Sequence, residues 1–115
     1  MNITEMDLFN ITKEMSLPSN IKGSKYIRSA IKFIIENSDI SITKELYPKI
    51  AKIYNATPSS VERCIRHAIE YIFAIPDIPS YIKNIFGEGF LYDKKPTNSE
   101  FLFTVADYIK VNGCN

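Results

Sequence analysis

The chain has 115 residues, 45% of them hydrophobic and 23% charged, with a net charge of +1. These numbers fit one compact domain over 1–115 with a core that needs neither metals nor disulfides. The overall charge announces no nucleic-acid partner, but its distribution does more: residues 13–66 carry 10 basic against 5 acidic side chains, a local +5, and the rest carries 4 against 8, or −4. A basic region on a neutral protein can bind phosphate or simply face water.

The pattern is helical nearly throughout. A first short helix spans about 4–16, with Met6, Phe9, Ile11, Lys13 and Glu14 in an amphipathic stretch and Thr4–Asp7 as a capping signal. Pro18 breaks it. A second helix covers about 24–37, with Ile27, Ala30, Ile31, Ile34 and Ile35 at helical spacing. Lys25, Arg28 and Lys32 share its opposite face, as a phosphate-facing or a water-facing stripe.

A third helix covers about 43–54, with Leu46, Ile50 and Ile53 along one side, joined by Tyr47 and Tyr54. Pro48 falls early enough to be tolerated. After a tight Asn55-Ala56-Thr57 connection, Thr57 caps a fourth helix over 58–74 and Pro58 opens it. Val61, Ile65, Ala68, Ile69 and Ile72 give the strongest periodic signal in the chain. That spacing turns Ser59, Glu62, Arg63, Arg66 and Glu70 outward.

A short fifth helix near 79–86 contributes Tyr81, Ile82, Ile85 and Phe86, and Gly87 stops it. Residues 88–96 form a loop or a short hairpin-like segment. Thr97 and Glu100 make a capping box for a last helix over 98–110, burying Phe101, Leu102, Val105, Ile109 and Tyr108. The fold class is all-α, about six helices around a central helix-turn-helix at about 43–74.

Cys64 lies on the apolar side of its helix as a small hydrophobe, and Cys114 lies at a frayed end. No Cys/His ligand spacing marks a metal site, and no cofactor motif appears. There is no secretory signal and no apolar run long enough to span a bilayer, so no membrane partner and a cytoplasmic location are expected. No phosphate loop, HExxH motif or nucleophile elbow marks an enzyme.

The chemistry concentrates on the fourth helix, where two of the chain's three arginines lie within four residues. In a helix-turn-helix the second helix enters the major groove of double-stranded DNA. An arginine fork matches guanine O6 and N7, and a carboxylate can accept from cytosine N4. Glu62 and the two arginines of this face, Arg63 and Arg66, therefore suit base reading. A plain Glu62–Arg66 pair at i, i+4 is the alternative for Glu62. Ser59 and Ser60 suit phosphate contact or capping, and His67 a phosphate contact or a packing role.

The segments Ile11-Thr12, Asn20-Ile21-Lys22-Gly23, Ser41 through Pro48, Val61-Glu62-Arg63, Ile65 through Glu70 and Lys95 through Phe101 resemble the C-terminal DNA-binding effector domain of the stage zero sporulation protein A family. The likeness continues at Val105-Ala106-Asp107 and covers nearly the whole chain. It implies sequence-specific binding to a promoter element of the TGTCGAA type, binding to tandem elements with self-association, and contact with RNA polymerase. It implies that Glu62 and Arg63 read bases, that Arg66 and His67 lie on the DNA face against the backbone, and that Thr97 caps a structural corner.

Three departures stand out. Ser60 replaces an arginine of the family, Ile53 replaces a lysine, and Phe73-Ala74-Ile75-Pro76 replaces a Trp-Ser-Arg-Gly type ending. The same base preference with lower affinity is expected, because each lost basic contact weakens phosphate attraction. The family's full-length members carry a receiver domain that this sequence does not contain. A free-standing paralogue is the favoured expectation over an excised domain. The competing function is a protein-interaction module, an antagonist of a full-length regulator or of RNA polymerase.

Overall fold

A computed structural model describes residues 2–113. Six α-helices follow in order: α1 (Glu5–Glu14), α2 (Lys22–Glu36), α3 (Tyr47–Ile53), α4 (Pro58–Ala74), α5 (Ser80–Phe86) and α6 (Asn98–Asn112). No strand occurs among the described residues. The expected all-α class is therefore observed. Cys114 lies outside the described residues.

The core is one cluster in which α2 packs on both α4 and α6, and α3 packs on α4. Tyr26, Ile27, Ile31 and Ile34 of α2 meet Ile65, Ile69 and Phe101 within it. The approach of α2 to α4 is close because Gly23 lies there. A β-carbon at Gly23 would meet the Cys64 carbonyl oxygen and come 2.8 Å from Ala68 Cβ. α2 begins at Lys22 rather than at the expected residue 24, so Gly23 lies within its first turn. Glycine is a weak helix former, but here it lets two backbones touch.

Thr4 and Asp7 form the expected capping box on α1. The buried stripe of α1 differs from expectation. Leu8, Ile11, Thr12 and Met15 face the core, whereas Met6 is 65% and Phe9 44% exposed. Both sets have helical spacing, but only the first continues into the buried Leu17. Thr12 tolerates burial because its hydroxyl donates to the carbonyls of Phe9 and Leu8. Ser16, at φ 59°, ends the helix, with Leu17 N–H returning to the Thr12 carbonyl.

The third helix is preceded by a widened π-helical turn, Ile42–Leu46. Leu46 N–H donates to the Ser41 carbonyl, and Tyr47 N–H to that of Ile42. Pro48 has no N–H to return to the preceding turn, and its ring crowds the carbonyl four residues back, so the wider pattern relieves the conflict. Ile53, expected with Leu46 and Ile50 in the core, is 56% exposed at the end of α3.

Residues 88–96 adopt turns and bends, not a hairpin. Tyr92 Oη donates to the Gly87 carbonyl at 2.6 Å, and Phe90 lies 4.8 Å from the Phe86 ring. Those side-chain contacts fold the loop back onto an aromatic cluster that includes Phe73 and Phe101. Thr97 and Glu100 form the expected capping box of α6. Tyr108 is half-buried, edge-on to Tyr81, rather than in the core.

Candidate nucleic-acid interface

Two short signals aim α4. Asn55 takes a left-handed conformation at φ 54°, which asparagine tolerates, and Ala56 N–H then closes α3 on the Ala51 carbonyl at 2.8 Å. Two residues later the Thr57 hydroxyl accepts the Ser60 N–H at 3.1 Å, and Pro58 takes the first helical position. α3 and α4 are thus joined by the turn Tyr54-Asn55-Ala56-Thr57.

Val61, Ile65, Ala68, Ile69 and Ile72 are the buried residues of α4. Each fully buried aliphatic side chain contributes roughly 1.5–3 kcal/mol. With that face docked, a rotation of about 100° per residue leaves Arg63 near the middle of the solvent face. Ser59, Glu70 and His67 surround it. Glu62 and Arg66 lie along one margin and Ser60 along the other.

Arg63 is exposed and makes no ion pair among the described residues. The margin is bonded instead. Arg66 Nε donates to Glu62 Oε2 at 3.1 Å, with the two side chains 40% and 38% exposed. The carboxylate holds the Arg66 guanidinium even more firmly protonated than usual, by hydrogen bond and charge. Asn98, the first residue of α6, reaches the same place. Its Nδ2 lies 3.0 Å from Tyr47 Oη, 3.0 Å from the Glu62 carbonyl oxygen and 3.4 Å from Glu62 Oε2. Burial pushes the Tyr47 phenol pKa up and the Glu62 charge adds to this, while the Asn98 bond opposes it.

Glu70 is the second acid on the face. Its carboxylate is 4.0 Å from His67 Nε2 and 3.9 Å from Lys95 Nζ, both long, partly exposed pairs that add little stability. Ser59 is exposed, and Ser60 offers its backbone N–H to the cap.

Two members of the basic stripe on α2 have partners. Lys25 Nζ lies 5.0 Å from the Tyr54 ring centre, and Arg28 Nη1 donates to Ser24 Oγ at 2.9 Å. Lys49 similarly covers the Phe33 ring at 4.2 Å. Lys25 and Lys49 thus pack on the aromatic rim of the α2–α3 contact.

Sequence reasoning placed the outward set on α4 but missed Tyr47 and Asn98 as parts of the site. Asn98 is separated from Glu62 by 36 residues and from Tyr47 by 51. The only signal was its place in the Lys95–Phe101 motif, read there as a corner capped by Thr97.

Among the described residues no His, Cys, Asp or Glu group could hold a metal ion, and no helix is long and apolar enough to cross a membrane. A family model described as "Sporulation initiation factor Spo0A C terminal" matches residues 8–109.

Proposed function

Because the chain belongs to the Spo0A C-terminal family, a family of DNA-binding sporulation regulators, we propose that it is a sequence-specific transcription regulator that lays α4 in the DNA major groove. The observation that carries this is the outer face of α4. It follows a four-residue turn, its opposite side is wholly buried, and an unpaired arginine stands near its centre.

In this proposal α3, the turn and α4 form the helix-turn-helix. Arg63 reads guanine through its fork. Glu62 reads cytosine through Oε1, since Oε2 is taken by Arg66 and Asn98. Ser59, Ser60, Arg66 and His67 contact the backbone and set the register. Tandem elements bring copies side by side, and RNA polymerase is the protein partner.

Titration with a TGTCGAA duplex and with a scrambled duplex, across a salt series, tests the proposal. Preference for the element with a shallow salt slope is expected, because Ser60 and Ile53 supply no cation. Equal binding to both duplexes overturns it.

A protein-interaction role has its own support. Met6, Phe9 and Ile53 are exposed apolar side chains, and they line neighbouring depressions that share Glu5 and Arg28. Replacing Arg63 separates the two roles. Loss of element binding supports the DNA reader. Unchanged binding supports the interaction module.

A further inference from the structure

The carboxamide of Asn98 is committed to Glu62 twice, once on the backbone and once on the side chain. Its Nδ2 carries two protons and has three acceptors within reach, at 3.0, 3.0 and 3.4 Å. The Glu62 carbonyl and carboxylate can only accept. The reverse orientation of the amide would set its oxygen against both. The geometry therefore fixes which atom points at α4.

Asn98 is itself held. It follows Thr97, whose hydroxyl accepts the Glu100 N–H at 3.1 Å while Glu100 Oε1 accepts the Thr97 N–H at 3.1 Å. Tyr47, on α3, receives the other short bond, and it is buried. The start of α6 and the start of α3 thus meet at the margin of α4, with Asn98 bonded to Glu62 directly and Tyr47 bonded to Asn98. Glu62 Oε2 in turn accepts from Arg66 Nε. An unheld glutamate on a helix surface samples several rotamers, and ordering it on binding costs affinity.

From this we infer that Asn98 is a specificity-positioning residue. It fixes the Glu62 carboxylate in the pose that meets the bases, without itself touching DNA. The inference rests on the proposed base-reading role of Glu62. It gives the α6 start a part in sequence discrimination beyond its structural corner.

The test is a competition panel in which each base pair of the TGTCGAA element is substituted in turn. It is run with the full chain and with Glu62→Ala, Asn98→Ala, Asn98→Asp and the Glu62→Ala/Asn98→Ala double variant. Asn98→Asp keeps a favourable acid at the α6 start, so α6 still forms, but it sets like charge against Glu62. Thermal unfolding verifies that each variant is folded.

Glu62→Ala should lose about tenfold discrimination at one base pair. Both Asn98 variants should lose discrimination at that same pair and keep it elsewhere. The double variant should lose no more than Glu62→Ala, because Asn98 acts through Glu62. Uniform weakening across the panel, or a further loss in the double variant, would mean a merely structural role and overturn the inference. So would full discrimination in both Asn98 variants. If the unaltered chain prefers no base pair, or Glu62→Ala keeps every preference, the functional proposal itself fails and the inference falls with it.

Discussion

The inner and outer faces of α4 follow different physics on one helix. The inner face is dry and packed, with Val61, Ile65, Ala68, Ile69 and Ile72 all at 0% exposure. The outer face carries two arginines, two acids and a histidine, tied by long or half-exposed pairs and by Asn98 at Glu62. Packing losses inside cannot be recovered by solvent, whereas outer charges are screened and nearly neutral for folding. The inner face therefore sets stability and leaves the outer face free to change. Ser60 is half-exposed and Ile53 exposed, while Phe73 packs edge-on against Phe86 and Phe101.

Substitutions on each side should sharpen or break this contrast. Ile65→Ala should cost most, about 3 kcal/mol of unfolding free energy in urea, with base preference unchanged in the folded fraction. Gly23→Ala should follow at about 2 kcal/mol, since the added carbon meets helix backbone at Cys64 rather than a side chain that can turn away. Arg63→Ala should weaken element binding by about 1–3 kcal/mol yet move the unfolding free energy by less than about 0.5 kcal/mol. A shifted urea midpoint with intact DNA binding would break the contrast. Ile53→Lys should act least, steepening the salt dependence of binding by about one unit of slope with no change in stability. Salt titrations of the two chains side by side measure it.

Legibility in the sequence also differed between regions. The bounds, cap and buried set of α4 matched expectation residue for residue, because a seventeen-residue helix repeats its apolar signal several times. On α1, with ten residues, the expected stripe of Met6, Phe9 and Ile11 is buried only at Ile11, and Leu8 takes the place beside it. Ile53 and Tyr108 have the spacing of the buried stripe yet stay exposed and half-buried, because helical spacing says which residues align and not what packs against them. The π-helical turn before α3 left only Pro48 as a trace. Of the candidate site, the outward set on α4 was legible, while its bonding to Asn98 and Tyr47 was not.

By itself the sequence determined the all-α class, the caps at Thr4, Thr57 and Thr97, and the inward and outward faces of α4. Each depends on residues within one or two helical turns, where spacing and side-chain chemistry act directly on the backbone. Tertiary structure alone decided which stripe of α1 is buried, why glycine stands at residue 23, and that Asn98 grips Glu62. Those outcomes come from segments tens of residues apart brought into contact by core packing, and no local period records which backbone will arrive opposite a given side chain.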